Sequence, residues 1–417
     1  MAGWHDLRID PARLRADIEA LSRIGRSAEG ALTRHAFSAD YETARAWLRA
    51  RMEAAGIKPR DDAAGNTIGR VGPASGPCVM AGSHIDTVPD GGPLDGALGV
   101  LSALEVARVL SESGSALPRA FECVAFVEEE GRYSDCLGSK AMTGQIEDEE
   151  VAAARDPDGN SLADAMGAAG FDPGGIGAAR RPGGDVAAYL ELHIEQGPVL
   201  ESMGLPIGVV HAIVGIDHTS VIFRGEPDHA GTTPMDLRKD AFTGAAEYAY
   251  RTRQMVLEEG TEGRARITFG VVELQPQATN IVPYRVRLIQ EIRDTSDDVI
   301  AKLVAGGESI AGEVAAAHRL SVDYEWLSSN KAAHMSEAVQ AVIRDAAASL
   351  GLASHDMPSG AGHDAQVLAN VAPAGMIFVP SEGGRSHRRD EWTDWPLLEN
   401  GANVLLQSAL RLIHGSS

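Results

Sequence analysis

The run AFECVAFV at residues 120–127 is apolar at almost every position and is followed at once by Glu128, Glu129, Glu130 and Gly131. Eight such residues are strand length rather than helix length, and a strand without a polar face must be covered on both sides. VAAYLELHIEQG at 186–197 is a second run of this kind, and PCVMAGSHIDTV reads as a third buried strand that passes into a loop. Amphipathic helical patterns fill the intervals, at 12–24, at 39–55 and from Ala97 to Leu110, where Val100, Leu101, Leu104, Ala107 and Leu110 share one stripe. Strands alternating with helices imply an α/β domain with a largely parallel central sheet. The Gly/Pro/Arg-rich stretch FDPGGIGAARRPGGD at 171–185 reads as a surface loop.

From about residue 217 the rhythm changes. A strand (HTSVIFRG) precedes a helix at 236–258, in which Phe242, Ala245, Ala249, Thr252 and Val256 step by three and four. Two strands (ARITFGVVEL and PYRVRLIQEI), a helix at 296–318 and a strand at 320–327 follow. That order, βαββαβ, is the α+β ferredoxin-like pattern. After Asn330 the α/β rhythm resumes with a helix near 336–350, the strand AGMIFVPS and a helix at 397–414. At 417 residues the chain exceeds one ordinary core. The expected organisation is one domain from 1–215 and 331–417, with 216–330 inserted as a smaller domain.

A formal charge of −22 argues against nucleic-acid or anionic-membrane partners, and no run of Lys/Arg supplies a compensating basic face. Cys78, Cys123 and Cys136 show no paired spacing and leave one over in any disulfide scheme, which points to a reducing compartment. The first residues are charged and lack an apolar core, and no segment approaches the roughly 18 apolar residues of a membrane span. A cytoplasmic location is the expectation.

Chemistry in an open α/β sheet gathers at the C-terminal ends of its strands. Four strand ends carry polar residues suited to it. GSHIDTVPDGGPLDG offers His84, Asp86 and Asp95, a set suited to a divalent ion, although its glycines and prolines also read as an ordinary turn. The three consecutive glutamates repel one another unless a cation is near, so one can be a ligand and a neighbour a base for water; in isolation they also read as a solvated acidic turn. In LELHIEQGP, His193 alternates with the leucines, and in VPSEGGRSHRRDEW, His387 follows an apolar strand. Each segment is weak alone. Together they supply the His and carboxylate inventory of a two-metal site.

The inserted domain has its own polar residues: His229 in DHAGTTP, Asn280 in ATNIVP and Arg293 in QEIRD. A guanidinium suits a carboxylate and an imidazole can donate to an oxyanion, yet Arg293 can equally pair with Glu291 or Asp294.

With these segments in view, the chain resembles, end to end, the metallopeptidase-like amidohydrolases related to aminoacylases and carboxypeptidase G. Within them it is most similar to the branch of N-carbamoyl-L-amino acid hydrolases, allantoate amidohydrolases and β-ureidopropionases. The resemblance rests on LTRHAFSADYETARAWLRARMEAAG, DDAAGNTIGR, GSHIDTVPDGGPLDGALGV, EEEG, GSKAMTG, HIEQGPVLE, HAGTTPM, ATNIVP, SGAGHDA and SEGGRSH, in that order. It implies two divalent metal ions, zinc or manganese first, with cobalt or nickel admitted. His84 and His193 would bind one ion, Glu130 and His387 the other, and Asp95 would bridge them. Glu129 would be the general base, and Asp86 would orient His84. Gln196, His229, Asn280 and Arg293 would hold a substrate carboxylate and polarise the scissile carbonyl. The inserted domain would act as a lid and make a homodimer.

The implied reaction is hydrolysis of a linear amide or ureido C–N bond in an N-carbamoyl-L-amino acid or a ureido acid such as allantoate. Deacylation of N-acyl amino acids, or dipeptide cleavage, is the alternative on the same machinery. A thiol amidase built on Glu130, Cys136 and Lys140 is a second class, and a silent carboxylate-binding protein a third. The sequence departs from the branch in one place: relatives carry a longer segment between EEG and the following GS, where this chain has only RYSDCL. That segment adjoins the expected base, so it bears on the leaving-group pocket.

Overall fold

A computed structural model describes residues 4–259 and 265–415. The strands, in chain order, are β1 Pro59–Asp61, β2 Thr67–Val71, β3 Cys78–His84, β4 Ala120–Phe126, β5 Val186–Ile194, β6 Ile207–Ile213, β7 Gly215–Arg224, β8 Arg266–Gln275, β9 Arg285–Asp294, β10 Ser321–Asn330, β11 Ala333–His334, β12 Ser354–Ser359 and β13 Ala374–Val379. The chain divides into two compact units, Met1–His211 with His334–Ser417, and Ala212–Ala333.

The large unit is built on a sheet of order β1-β2-β4-β3-β5-β13-β6-β11, with β12 on β6. Its centre, β4-β3-β5-β13, is parallel, and antiparallel β2 and β6 flank it. Every residue of β3, β4 and β13 is buried, the condition that their unbroken apolar runs required. The helix Ala97–Glu112 is buried around its whole circumference from Ala97 to Leu110, beyond the single expected stripe. Its polar side is covered as well, because Glu105 and Arg108 meet Arg13 and Asp17 of the helix Pro11–Leu21 at 2.7 and 2.5 Å. The stretch 171–185 is not simply a surface loop. Asp172 accepts from Gly174 N and starts a short 3₁₀ turn, Pro173–Ala179, whose Ile176 is fully buried in the main core. Ala179 is buried in the same core and Phe171 packs against it, so a few apolar residues among the glycines anchor the stretch.

The small unit has the antiparallel sheet β10-β7-β9-β8. With the helices Ala241–Glu259 and Asp297–His318, its order is the βαββαβ expected. Val221 and Phe223 of β7, and Val286 and Leu288 of β9, pack against Ala245, Tyr248, Ala311 and Val314 of the two helices. The first of these helices begins at Ala241 rather than 236, because Asp240 accepts from Phe242 N and Thr243 N and so sets its start. Phe242, expected on the buried stripe, is 48% exposed in the first turn. No helix among the described residues is long and apolar enough to cross a membrane, and all three cysteines are free and buried.

Candidate metal centre

The four adjacent parallel strands end on one side of the large sheet, and the expected ligands follow from those ends. His84 closes β3, His193 is the penultimate residue of β5, and the glutamates follow β4. Asp95 precedes the helix Ala97–Glu112, and His387 lies beyond β13. Their donor atoms fall into two groups, His84–Asp95–His193 and Asp95–Glu130–His387, which share Asp95. His193 Nε2 lies 3.1 Å from one Asp95 oxygen and His387 Nε2 lies 3.1 Å from the other. Glu130 is 3.7 Å from His387, and Glu129 is 3.5 Å from His84 Nε2.

Local constraints fix these positions. Gly96, at φ +63°, lies against His84: a Cβ there would sit 2.3 Å from the imidazole. The other face of that imidazole is held through Nδ1, 3.1 Å from the Asp86 carbonyl and 3.7 Å from its carboxylate. Asp86 in turn accepts from Glu130 N at 3.1 Å. Glu128, Gln196 and His387 all have left-handed backbones, at φ 58°, 58° and 56°, a conformation that costs non-glycine residues about 1–2 kcal/mol each. Three such residues around one centre indicate a geometry imposed by the surrounding packing.

The electrostatics call for positive charge. Burial would raise Asp95, but the hydrogen bonds from His193 and His387 outweigh it and hold the carboxyl well below the usual range. Burial, and next the charge of Glu130, pushes Glu129 well up; burial, and next Asp95, does the same to Glu130. Among the described residues, no lysine or arginine forms an ion pair with Asp86, Asp95, Glu128, Glu129 or Glu130. Buried oxygens of Asp86, Glu128 and Gln196 also lack hydrogen-bond partners. Carboxylates gathered with imidazoles and not ion-paired to a basic side chain are a donor set that fits divalent cations.

Three residues of this centre carry no sequence assignment. Glu391 accepts from the backbone N–H groups of Leu94 and Asp95 at 2.9 and 3.0 Å and so fixes the shared carboxylate. His363 is buried with its ring 4.5 Å from that of His193 and its Nε2 2.9 Å from Ser359 Oγ. Burial, and next His193, holds its imidazole well below the ordinary value. Glu191 accepts from Ser83 Oγ at 2.7 Å and from Ala365 N at 2.8 Å, and its donors cluster with those of His193 and His363. A histidine following the glycines of SGAGHDA was the available signal for His363.

The expected substrate residues fall in both units, and the three in the small unit do not converge. Gln196 lies at the centre, its amide donating to both Asp95 oxygens at 3.1 and 3.2 Å. His229 and Asn280 are brought together in the small unit, where His229 bridges Ile281 and Ala230 N donates to Asn280 O at 3.0 Å. Both lie beyond the Arg224–Arg285 end of the small sheet, whereas Arg293 pairs with Ile216 at the opposite end. The eight residue steps from Arg285 to Arg293 along β9 set those ends about 26 Å apart. Arg293 is also engaged by Glu291, through Nε at 2.7 Å and Nη2 at 3.0 Å, the pairing that its spacing admitted.

Residues 80–411 match the model of peptidase family M20/M25/M40. The chain is 40% identical over 403 residues to the N-carbamoyl-L-amino-acid amidohydrolase of Paenarthrobacter aurescens, covering 95% of this chain and 96% of that one. It is 33% identical to the allantoate amidohydrolase of Bacillus subtilis (strain 168), covering 95% and 96%. Among solved structures, an amidase of the hydantoinase/carbamoylase family from Burkholderia multivorans superposes with a TM-score of 0.89 at 32% identity, over 97% of this chain and 98% of that one.

Proposed function

The chain belongs to peptidase family M20/M25/M40, and from that premise we propose that it hydrolyses the linear ureido C–N bond of an N-carbamoyl-L-amino acid, or of a related ureido acid such as allantoate, releasing ammonia and CO2. It is a hydrolase acting on amide C–N bonds. The observation that carries the reading is the single carboxylate, Asp95, common to two donor groups, with Glu129 beside them.

In this reading His84, Asp95 and His193 hold one divalent ion, and Asp95, Glu130 and His387 a second. Zinc or manganese fits the donors first, and cobalt or nickel is admitted. Ions bound there would polarise the scissile carbonyl and make water acidic enough to attack at neutral pH. Glu129 accepts the proton of the attacking water and returns it to the leaving nitrogen; burial and Glu130 keep its affinity for that proton high. Asp86 keeps His84 oriented. The unpartnered Oε1 of Gln196 is an acceptor suited to a ureido N–H.

Arg293 takes the substrate carboxylate, Asn280 assists, and His229 donates to the developing oxyanion. An amino-acid-sized substrate cannot touch both ends of a strand about 26 Å long. The reading therefore requires a homodimer through the small unit, in which Arg293 acts with His229 and Asn280 of the partner subunit. The thiol alternative loses its nucleophile: Cys136 is buried, and burial, then Glu129, pushes its thiol well up, away from the reactive thiolate.

The test is ammonia release from N-carbamoyl-L-amino acids, allantoate and ureidoglycolate by protein stripped and reloaded with each metal, beside amine release from N-acetyl amino acids. Turnover of N-acetyl substrates alone would move the assignment to a deacylase. Activity unaffected by complete chelation would overturn it.

A further inference from the structure

The small sheet packs one face under its two helices and leaves the other open. On the open face four side chains from three adjacent strands form one continuous set of contacts. His218 of β7 and Glu291 of β9 are directly opposed, with Nε2 3.1 Å from Oε2. Glu291 also accepts from Arg293, two residues along the same strand, at 2.7 Å through Oε1 and 3.0 Å through Oε2. On the far side of His218, Ser328 of β10 is opposed to it, with Oγ 3.3 Å from Nδ1. Thr268 and Arg266 of β8 oppose Glu291 and Arg293, and Ile216 and Ser220 flank His218 on its own strand. Asn330 opposes Ile216, Glu325 opposes Ser220, and Arg287 donates through Nε to Ser220 Oγ at 3.1 Å. Histidine is the side chain type suited to exchanging a proton near neutral pH.

We propose that His218 sets the affinity of Arg293 for a substrate carboxylate by taking up a proton when that carboxylate binds. The proposal rests on reading Arg293 as the carboxylate anchor. With His218 neutral, Arg293 and Glu291 cancel, and an arriving carboxylate leaves the trio at net −1. With His218 protonated the trio starts at +1, and the same carboxylate brings it to zero. Coupling of this kind is reciprocal: the imidazolium favours the carboxylate, and the carboxylate favours the imidazolium. Glu291 does not share the change. The hydrogen bond from His218, together with that from Arg293, pulls its carboxyl down to about 2 against the effect of burial, so it stays ionised across the working range. Substrate binding is therefore strongest at low pH and weakens as the imidazole loses its proton.

The experiment compares KM and kcat of wild type, His218→Gln and His218→Lys between pH 6 and 8.5, using whichever of N-carbamoyl-L-alanine, allantoate and ureidoglycolate turns over fastest. Gln keeps a donor to Glu291 but cannot titrate; Lys is a permanent cation. The ratio of wild-type KM to that of His218→Gln should rise on the order of three- to tenfold across the range, and His218→Lys should hold a low KM at pH 8.5. The split reads in KM and not in kcat, which a merely structural defect would also lower. A His218→Gln profile parallel to wild type, or a His218→Lys no tighter at pH 8.5 than His218→Gln, overturns the proposal. Arg293→Gln separates the two levels: an unchanged KM removes the carboxylate anchor and this inference with it. A raised KM alongside unaltered pH profiles in the His218 variants sinks only the role of His218.

Discussion

Asp95 and Glu129 occupy the same buried pocket of carboxylates yet are tuned in opposite directions. Two imidazoles hold Asp95 ionised, whereas burial and Glu130 keep Glu129 ready to take a proton. A shared ligand and a base need these two characters. On the proposed mechanism Glu129→Gln should therefore leave the metal content unchanged and lose about 10²- to 10⁴-fold in kcat, checked by metal analysis beside steady-state kinetics. Full activity would remove Glu129 as the base. A second expectation concerns His193. Burial would lower it, but the hydrogen bond and charge of Asp95 raise it to about 9 in the metal-free protein. A metal needs the neutral imidazole, so below pH 9 each ion bound there displaces a proton. Apparent affinity should then climb about tenfold per pH unit between 6.5 and 8.5 and level off near 9. Chelator competition at several pH values measures this, and a flat profile would exclude His193 as a ligand.

Elements were legible where one physical signal governed them. Unbroken apolar runs marked β3, β4 and β13, and steps of three and four marked the helices, because burial on both faces or on one stripe leaves no other pattern. Helix starts depend instead on a single side chain returning to the backbone, which periodicity does not see. Asp240 is such a residue, and Asp240→Ala should lower the stability of the small unit by about 1 kcal/mol, read as an earlier transition in denaturant with the sheet's spectrum unchanged. The proposed ligands could be named from the sequence because each follows a recognisable strand end, and their donor atoms do cluster. Glu191 and His363 were not, since their meaning lies in partners far along the chain: Ser83 and Ala365 for Glu191, and His193 for His363. A polar residue in a strand reads as a solvated face until the helix Asp364–Leu368 is seen to offer Ala365 N to Glu191. The spacing of Glu291 and Arg293 allowed a pairing that is formed, and the carboxylate role proposed for Arg293 must act through the paired guanidinium.

For the whole molecule, the separation within the small unit is the strongest constraint on assembly. His229 and Asn280 stand at one end of a sheet whose other end carries Arg293, so a single chain cannot bring both sets to one small substrate. In the proposed reading a closed two-fold dimer resolves this, with His229 and Asn280 serving one site and Arg293 the other. Mixed dimers decide the matter. His229→Ala and Arg293→Ala should each be nearly inactive alone. When the two are unfolded and refolded together, half of the dimers should be mixed, and each mixed dimer should contain one intact site and one doubly defective site. Recovered activity should then approach about one quarter of wild type, since one site in two is restored in one dimer in two. If both residues served the site of their own chain, every site in the mixture would still lack one of them, and mixing would recover nothing.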